Sequence, residues 1–276
     1  DYYKATLCLE DPRLAYLFYF EYDNEPYYFC EDGLVTTYNF NLAYFNSFQF
    51  AYINDDDVMQ NVEWLNNAVF YQIFVDRFCG SGKTKSKINA KWDELPTPTS
   101  FYGGNLDGIT ENLDYIKELG ATAIYLTPIF KSNSNHKYDT IDFYCIDESF
   151  GDKESLKRLV EKAHEKGMRV VLDAVFNHVS HDFVRFKDVI KKGKKSKYFD
   201  WFVIDGEKVE QNPANYACFG DCEYMPKLNT CNKDVQDYLI GVMVYWMKEC
   251  DVDGWRLDVS DEVSHGFWRK AREAVK

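Results

Sequence analysis

The stretch DGWRLDVSDEV, Asp253 to Val263, reads as a buried β-strand that carries an arginine two residues ahead of an aspartate. Side chains alternate faces along a strand, so Arg256 and Asp258 point one way while Trp255 and Leu257 point the other. Two opposite charges therefore share one face of an otherwise apolar element. Desolvation cancels much of the attraction in such a pair, so stability alone does not account for it and a chemical reason is wanted.

Upstream of this strand, apolar runs alternate with helical patterns. AVFYQIFVDRF (68–78) is β-prone, and GITENLDYIKELG (108–120) follows with Leu113, Ile116 and Leu119 at helical spacing and Gly120 as a stop. ATAIYLTPIF (121–130) is a second strand. The next helix, DKESLKRLVEKAHEKG (152–167), has Leu156, Leu159, Val160 and Ala163 on one face, Asp152 as its cap and Gly167 at its end. MRVVLDAVFNH (168–178) is the third strand, and DVQDYLIGVMVYWMKEC (234–250) is a helix with a stripe of Val235, Leu239, Val242, Met243 and Trp246 before the fourth strand.

Four near-continuously apolar strands separated by helices predict parallel βαβ units with right-handed crossovers. Either a barrel or a doubly wound sheet can be built that way. Asp76 and Arg77, Thr127, Asp173 with Asn177 and His178, and Arg256 with Asp258 all fall at carboxyl ends of strands, the active-site face of an eight-stranded barrel. A dinucleotide fold needs G-x-G-x-x-G after a strand, and FYGGNLDG (101–108) does not fit it. The expected fold is α/β, the first four βα units of a (β/α)8 TIM barrel over 58–276, with 179–229 as a small inserted domain after the third strand. Residues 1–57 are rich in Tyr and Phe, with alternating runs LAYLFYFEY and FQFAYI, and read as part of a β-sandwich that NDDD (54–57) closes off.

The chain has 276 residues, 46% hydrophobic and 17% aromatic, enough for a large core. Its net charge of -13, from 32 basic against 45 acidic residues, repels phosphate backbones and argues against nucleic acid as a partner. The longest apolar runs fall far short of a membrane span, and DYYKATLCLEDPR at the start shows no signal-peptide pattern, so a soluble, cytoplasmic protein with no membrane partner is expected. Among eight cysteines, Cys218, Cys222 and Cys231 lie close together without zinc-motif spacing, which favours isolated reduced thiols. A homodimer is compatible with the sequence, which does not decide it.

DAVFNH (173–178), MPKLN (225–229) and GWRLDVSDEV (254–263) stand in the order found in the α-amylase family of glycoside hydrolases, glycoside hydrolase family 13, and VFYQIFVDRF, FYGGNLDGI and NHKYDT resemble it too. The resemblance covers about 59–276, and MPKLN is similar to the neopullulanase, cyclomaltodextrinase and maltogenic amylase subgroup, whose members also carry an N-terminal β-sandwich. It implies a retaining hydrolase of α-1,4-glucosidic bonds in maltooligosaccharides, cyclodextrins, pullulan or starch. Asp258 then matches the nucleophile, and Arg256 the partner that keeps it ionised and aimed. His178 matches a donor to sugar hydroxyls, and Tyr138 an aromatic that stacks on the same sugar, with His136 and Asp139 supplying polar contacts around it. Asp173 and Asn177 match residues that support the site, and their satisfying each other and the loop backbone is an equal reading.

The lysine run in KDVIKKGKKSKYFDWF (187–202) reads as a solvated loop, in which Trp201 and Phe202 are the better candidates for sugar contact, although packing is the commoner role for such residues. No cofactor is required, and calcium is disfavoured because CGSGKTKSKINA (79–90) offers almost no carboxylates and Asn105 stands where some relatives have Asp. The sequence stops in the helix after the fourth strand, so the resemblance implies a piece of a longer enzyme, with the Glu acid/base and a final His-Asp pair elsewhere. A glucanotransferase would share every feature, and a non-catalytic sugar-binding or interaction protein on the same barrel is the alternative from another class.

Overall fold

A computed structural model of the chain describes residues 4, 6–8, 14–42, 46–50, 61–82, 85 and 87–276. The acidic stretch 54–57 and the end of FQFAYI lie outside the described residues. The chain divides into two units, Asp1–Asn66 and Asn67–Lys276.

In the first unit, β1 (Leu14–Tyr16) pairs antiparallel with β5 (Phe48–Phe50), while β2 (Phe18–Tyr22), β3 (Glu25–Cys30) and β4 (Gly33–Val35) form a three-stranded antiparallel sheet. The β2–β3 turn needs two left-handed residues, and Asp23 and Asn24, at φ 53° and 63°, are types that tolerate it. Phe48 reaches across to Phe18 and Phe29, with ring centroids 6.1 and 5.3 Å away, so an aromatic cluster joins the two small sheets.

The second unit is built on β6 (Phe70–Ile73) and β7 (Ala123–Leu126). A short antiparallel pair, β8 (Phe130–Lys131) and β9 (Asp142–Ile146), follows, then β10 (Arg169–Ala174), the hairpin β11 (Cys218–Phe219) and β12 (Cys222–Pro226), and finally β13 (Gly254–Leu257). Strands β6, β7, β10 and β13 form one all-parallel sheet in chain order. A doubly wound sheet reverses its strand order at a switch point. No reversal occurs here, so the winding is that of a barrel, with polar strand ends gathered at one side.

The helices behave largely as their patterns predict. Asp152 caps Lys153–Glu165 by accepting from Ser155 N at 2.8 Å, and Leu156, Leu159, Val160 and Ala163 are buried. Gly167 ends that segment at φ 73°. The stripe of Lys233–Cys250 is buried from Val235 to Trp246. In the loop after β6, a Cβ on Gly104 would lie 2.1 Å from Val75 O, so only glycine allows that close backbone approach.

Several expectations need correction. Residues 108–120 are not one helix: Leu106–Glu111 and Leu113–Glu118 are separated at Asn112, whose Nδ2 donates to Gly108 O at 2.8 Å, and Leu119 is exposed. The lysine run is no simple loop, since Val184–Lys192 is helical and buries Phe186 and Val189 while its lysines face solvent. Trp201 and Phe202 take the packing role, the commoner reading for both, rather than that of a sugar platform: their rings lie 5.4 Å from Tyr238 and 4.7 Å from Phe186, respectively. The fourth strand is not fully buried. Leu257 is 39% exposed, because β13 is an edge of the sheet among the described residues.

Candidate active site

Asp258 follows β13 directly, and its backbone N donates to Ala174 O at 3.2 Å, which continues the strand pairing by one residue. Registration of Asp173 opposite Arg256 puts a carboxylate from each strand on either side of the guanidinium. Arg256 Nη1 donates to Asp258 Oδ1 at 2.5 Å and to Asp173 Oδ1 at 3.2 Å. Asp173 is enclosed completely, and its Oδ2 also accepts from the hydroxyls of Tyr125 and, at 3.1 Å, of Tyr138.

These contacts set the charges. Burial pushes the Asp173 carboxyl up, to about 6, against the Tyr125 hydroxyl and the Arg256 charge, while the Asp258 charge reinforces the rise. Burial works against the Arg256 charge, yet the two carboxylates outweigh it and raise its pKa, so the guanidinium stays charged. The Tyr125 and Tyr138 hydroxyls are pushed up, first by burial and then by Asp173, Tyr138 to about 12, and both remain donors.

Asp258 opens on a cavity of about 300 Å³ lined by His136, Tyr138, His178, Phe219 and Met225. His178 is buried, and its ring stacks on Phe219 with centroids 4.7 Å apart and planes 28° apart. Burial lowers the His178 pKa against the pull of Asp258, which favours the neutral imidazole, and its Nε2 has no partner among the described residues. His136 is likewise shifted down by burial, and its ring sits 5.9 Å from that of Tyr138. This wall is apolar and aromatic with a few polar atoms, the composition expected where a pyranose ring is held.

The structure therefore brings Asp258, Arg256, Asp173, His178, His136 and Tyr138 together. Two other sequence candidates stand behind the wall. Asn177 Nδ2 donates to Glu262 Oε2 at 3.2 Å, and Lys227 donates to the same oxygen at 2.8 Å. Asp139 accepts from the hydroxyls of Ser132, at 2.6 Å, and Ser134, holding the loop rather than facing the cavity. Phe219, Met225, Tyr125 and Glu262 escaped sequence reasoning as site residues. Met225 and Glu262 lay inside quoted motifs, whereas Phe219 sits in β11, in a hairpin noticed only for its cysteines.

Among the described residues near 79–105, the Asn105 and Asp76 side-chain oxygens are engaged by backbone donors rather than free for a calcium ion. Asn105 Oδ1 already accepts from Gly108 N at 2.8 Å and Ser81 N at 3.2 Å, and the Asp76 carboxylate accepts from Tyr102 N and Gly103 N. Among the described residues no group of three or more His, Cys, Asp or Glu could hold a metal. No helix among them is long and apolar enough to cross a membrane.

Comparison with known proteins agrees with this geometry. Residues 72–273 match the family described as "Alpha amylase, catalytic domain". The cyclomaltodextrinase of Thermoanaerobacter pseudethanolicus is 48% identical, with 100% of this chain aligned to 48% of that protein. The intracellular maltogenic amylase of Bacillus subtilis is 43% identical, over 100% of this chain and 47% of its own length. A solved cyclomaltodextrinase superposes with a TM-score of 0.84 at 42% identity, covering 98% of this chain and 47% of that one. The chain thus spans about half the length of the curated relatives it matches. With the family's catalytic domain matched over 72–273 and its strand-end residues gathered round one cavity, the chain belongs to the α-amylase family of glycoside hydrolases.

Proposed function

We propose that this chain carries the nucleophile side of a retaining α-glucan hydrolase acting on α-1,4 bonds of maltooligosaccharides, cyclodextrins, pullulan or starch. One observation carries the reading: Asp258, bonded to Arg256, is the sole carboxylate among the described residues lining the cavity, and it shares that cavity with His178 and Tyr138. An Asp258 oxygen attacks the anomeric carbon and forms a glycosyl ester as the bond to the leaving oxygen breaks. The proton for that oxygen comes from a second carboxylic acid outside the cavity residues described above, and the same group then activates the water that cleaves the ester.

Arg256 fixes the direction of the attacking carboxylate, since guanidinium geometry matches a carboxylate. His178 donates to a sugar hydroxyl, and Tyr138 presents a ring face to the sugar with its hydroxyl tied to Asp173. Asp173 acts through Tyr138 and Arg256, and Asn177 acts from behind the wall. The word "intracellular" in the Bacillus subtilis relative's name supports a cytoplasmic location.

The test is the anomeric configuration of the first product. Proton NMR of maltoheptaose incubated with the full-length gene product should show the α-anomer before mutarotation. A β-anomer would make Asp258 a base in an inverting enzyme, and no product from any α-glucan would favour a non-catalytic sugar binder.

A further inference from the structure

The segment between β8 and β9 presents His136 and Tyr138 on the cavity wall, yet the residue between them turns the opposite way. Lys137 is 3% exposed and adopts φ 62°, a left-handed conformation that side-chain-bearing residues avoid unless their surroundings enforce it. Its Nζ lies 3.0 Å from Asp147 Oδ2 and 5.1 Å from the Phe150 ring centroid, and donates to Ser132 O at 3.3 Å. Asp147 is occupied on both oxygens. Oδ2 also accepts from Ser132 N at 3.0 Å, and Oδ1 accepts from Ser149 N at 3.0 Å and Ser149 Oγ at 2.5 Å.

A buried ion pair is seldom a net source of stability, so its value lies in what it positions. The turn it closes is short. Lys137 N donates to Ser134 Oγ at 2.9 Å, Tyr138 N to His136 Nδ1 at 3.1 Å, and Tyr138 OH to Asp173 Oδ2 at 3.1 Å. With the lysine drawn inward to Asp147, the left-handed step at 137 throws the flanking rings to the same side. Without it, residue 137 would relax toward φ below zero and Tyr138 would leave the line between Asp173 and the cavity.

We propose that Lys137 and Asp147 are positioning residues for Tyr138, a buried ionic latch beneath the aromatic wall of the sugar site. This deepens the proposed function and rests on it. The latch acts through Tyr138 and touches no substrate.

The experiment is a double-mutant cycle in the full-length gene product, with kcat and KM measured on maltoheptaose for the wild type, Lys137→Met, Tyr138→Ala and the pair. Lys137→Met should lower kcat/KM on the order of 100-fold, the scale of a small misplacement in a reacting site. In the Tyr138→Ala background the same substitution should cost little more, because its route to the sugar has already been removed. Asp147→Asn, nearly isosteric, runs the same cycle if Lys137→Met does not fold. Additive losses in a folded, active protein would overturn the latch while leaving the proposed function standing. A wild type inactive on every α-glucan overturns the proposed function and the latch with it.

Discussion

Strands β10 and β13 end in carboxylate clusters at both of their ends, and the two clusters are built differently. At the amino end, Asp253 accepts from His164 Nε2 at 2.7 Å, Arg169 Nη1 at 2.7 Å and Val170 N at 2.8 Å. Three donors from a helix and a strand converge on a side chain only 7% exposed, and they satisfy it. At the carboxyl end, Asp258 is comparably enclosed, at 11%, yet its one donor among the described residues is Arg256, and its remaining surface meets a cavity. A fully engaged buried carboxylate is a staple. One held by a single cation and left facing a cavity is available for chemistry.

Substitution at the two aspartates should separate those roles most sharply. Asp258→Asn in the full-length gene product should cut hydrolysis on the order of 10⁴-fold or more, with melting temperature nearly unchanged. Asp253→Asn should do the reverse: turnover below the melting transition stays near wild type while stability falls by about 1–3 kcal/mol. Substantial turnover in the first variant, or an unaltered melting temperature in the second, would erase the contrast.

His178 sharpens the carboxyl-end reading. His178→Ala should lower kcat on the order of 100-fold through a lost hydrogen bond to the sugar, with a much smaller effect on unfolding. A large drop in stability with intact kinetics would make it a core histidine stacked on Phe219.

The carboxyl end also carries a pH response. The Asp173 pKa is raised from 3.8 to about 6, so between those values the folded chain holds a proton that the unfolded chain has released. This contribution is fully present below the unfolded value and is lost as pH rises toward about 6. Urea midpoints across pH 4–7 should show that decline in the wild type and lose it in Asp173→Asn. The smallest effect belongs to Arg169→Met at the amino end. Its guanidinium is about half exposed, so removing it should cost under about 1 kcal/mol in the same urea titration.

The contrast also explains what could be read in advance. Strand and helix alternation, the Asp152 cap, and the positions of Asp173, His178, Arg256 and Asp258 at strand ends are local properties of pattern and spacing. Phe219 was invisible because nothing in a two-residue strand says which ring it will meet, and His178 lies 41 positions before it. Trp201 and Phe202 have the same composition as a sugar platform, and only the packing of Phe186 and Tyr238 against them decides otherwise. Leu119 kept helical spacing, but the helix ends at Glu118 and leaves Leu119 exposed at its cap. Lys137 carried no signal in the sequence, because its partner Asp147 lies beyond β9.

Covalent trapping tests the central claim most directly. The full-length gene product, incubated with a 5-fluoro-α-glucosyl fluoride that reacts quickly and hydrolyses slowly, should be digested at low pH and sequenced by mass spectrometry. The account predicts one glycosyl group on the peptide that contains DGWRLDVSDEV, esterified at Asp258, and released when an acceptor sugar is added. An ester on Asp173, on Glu262 or on any other carboxylate would contradict it.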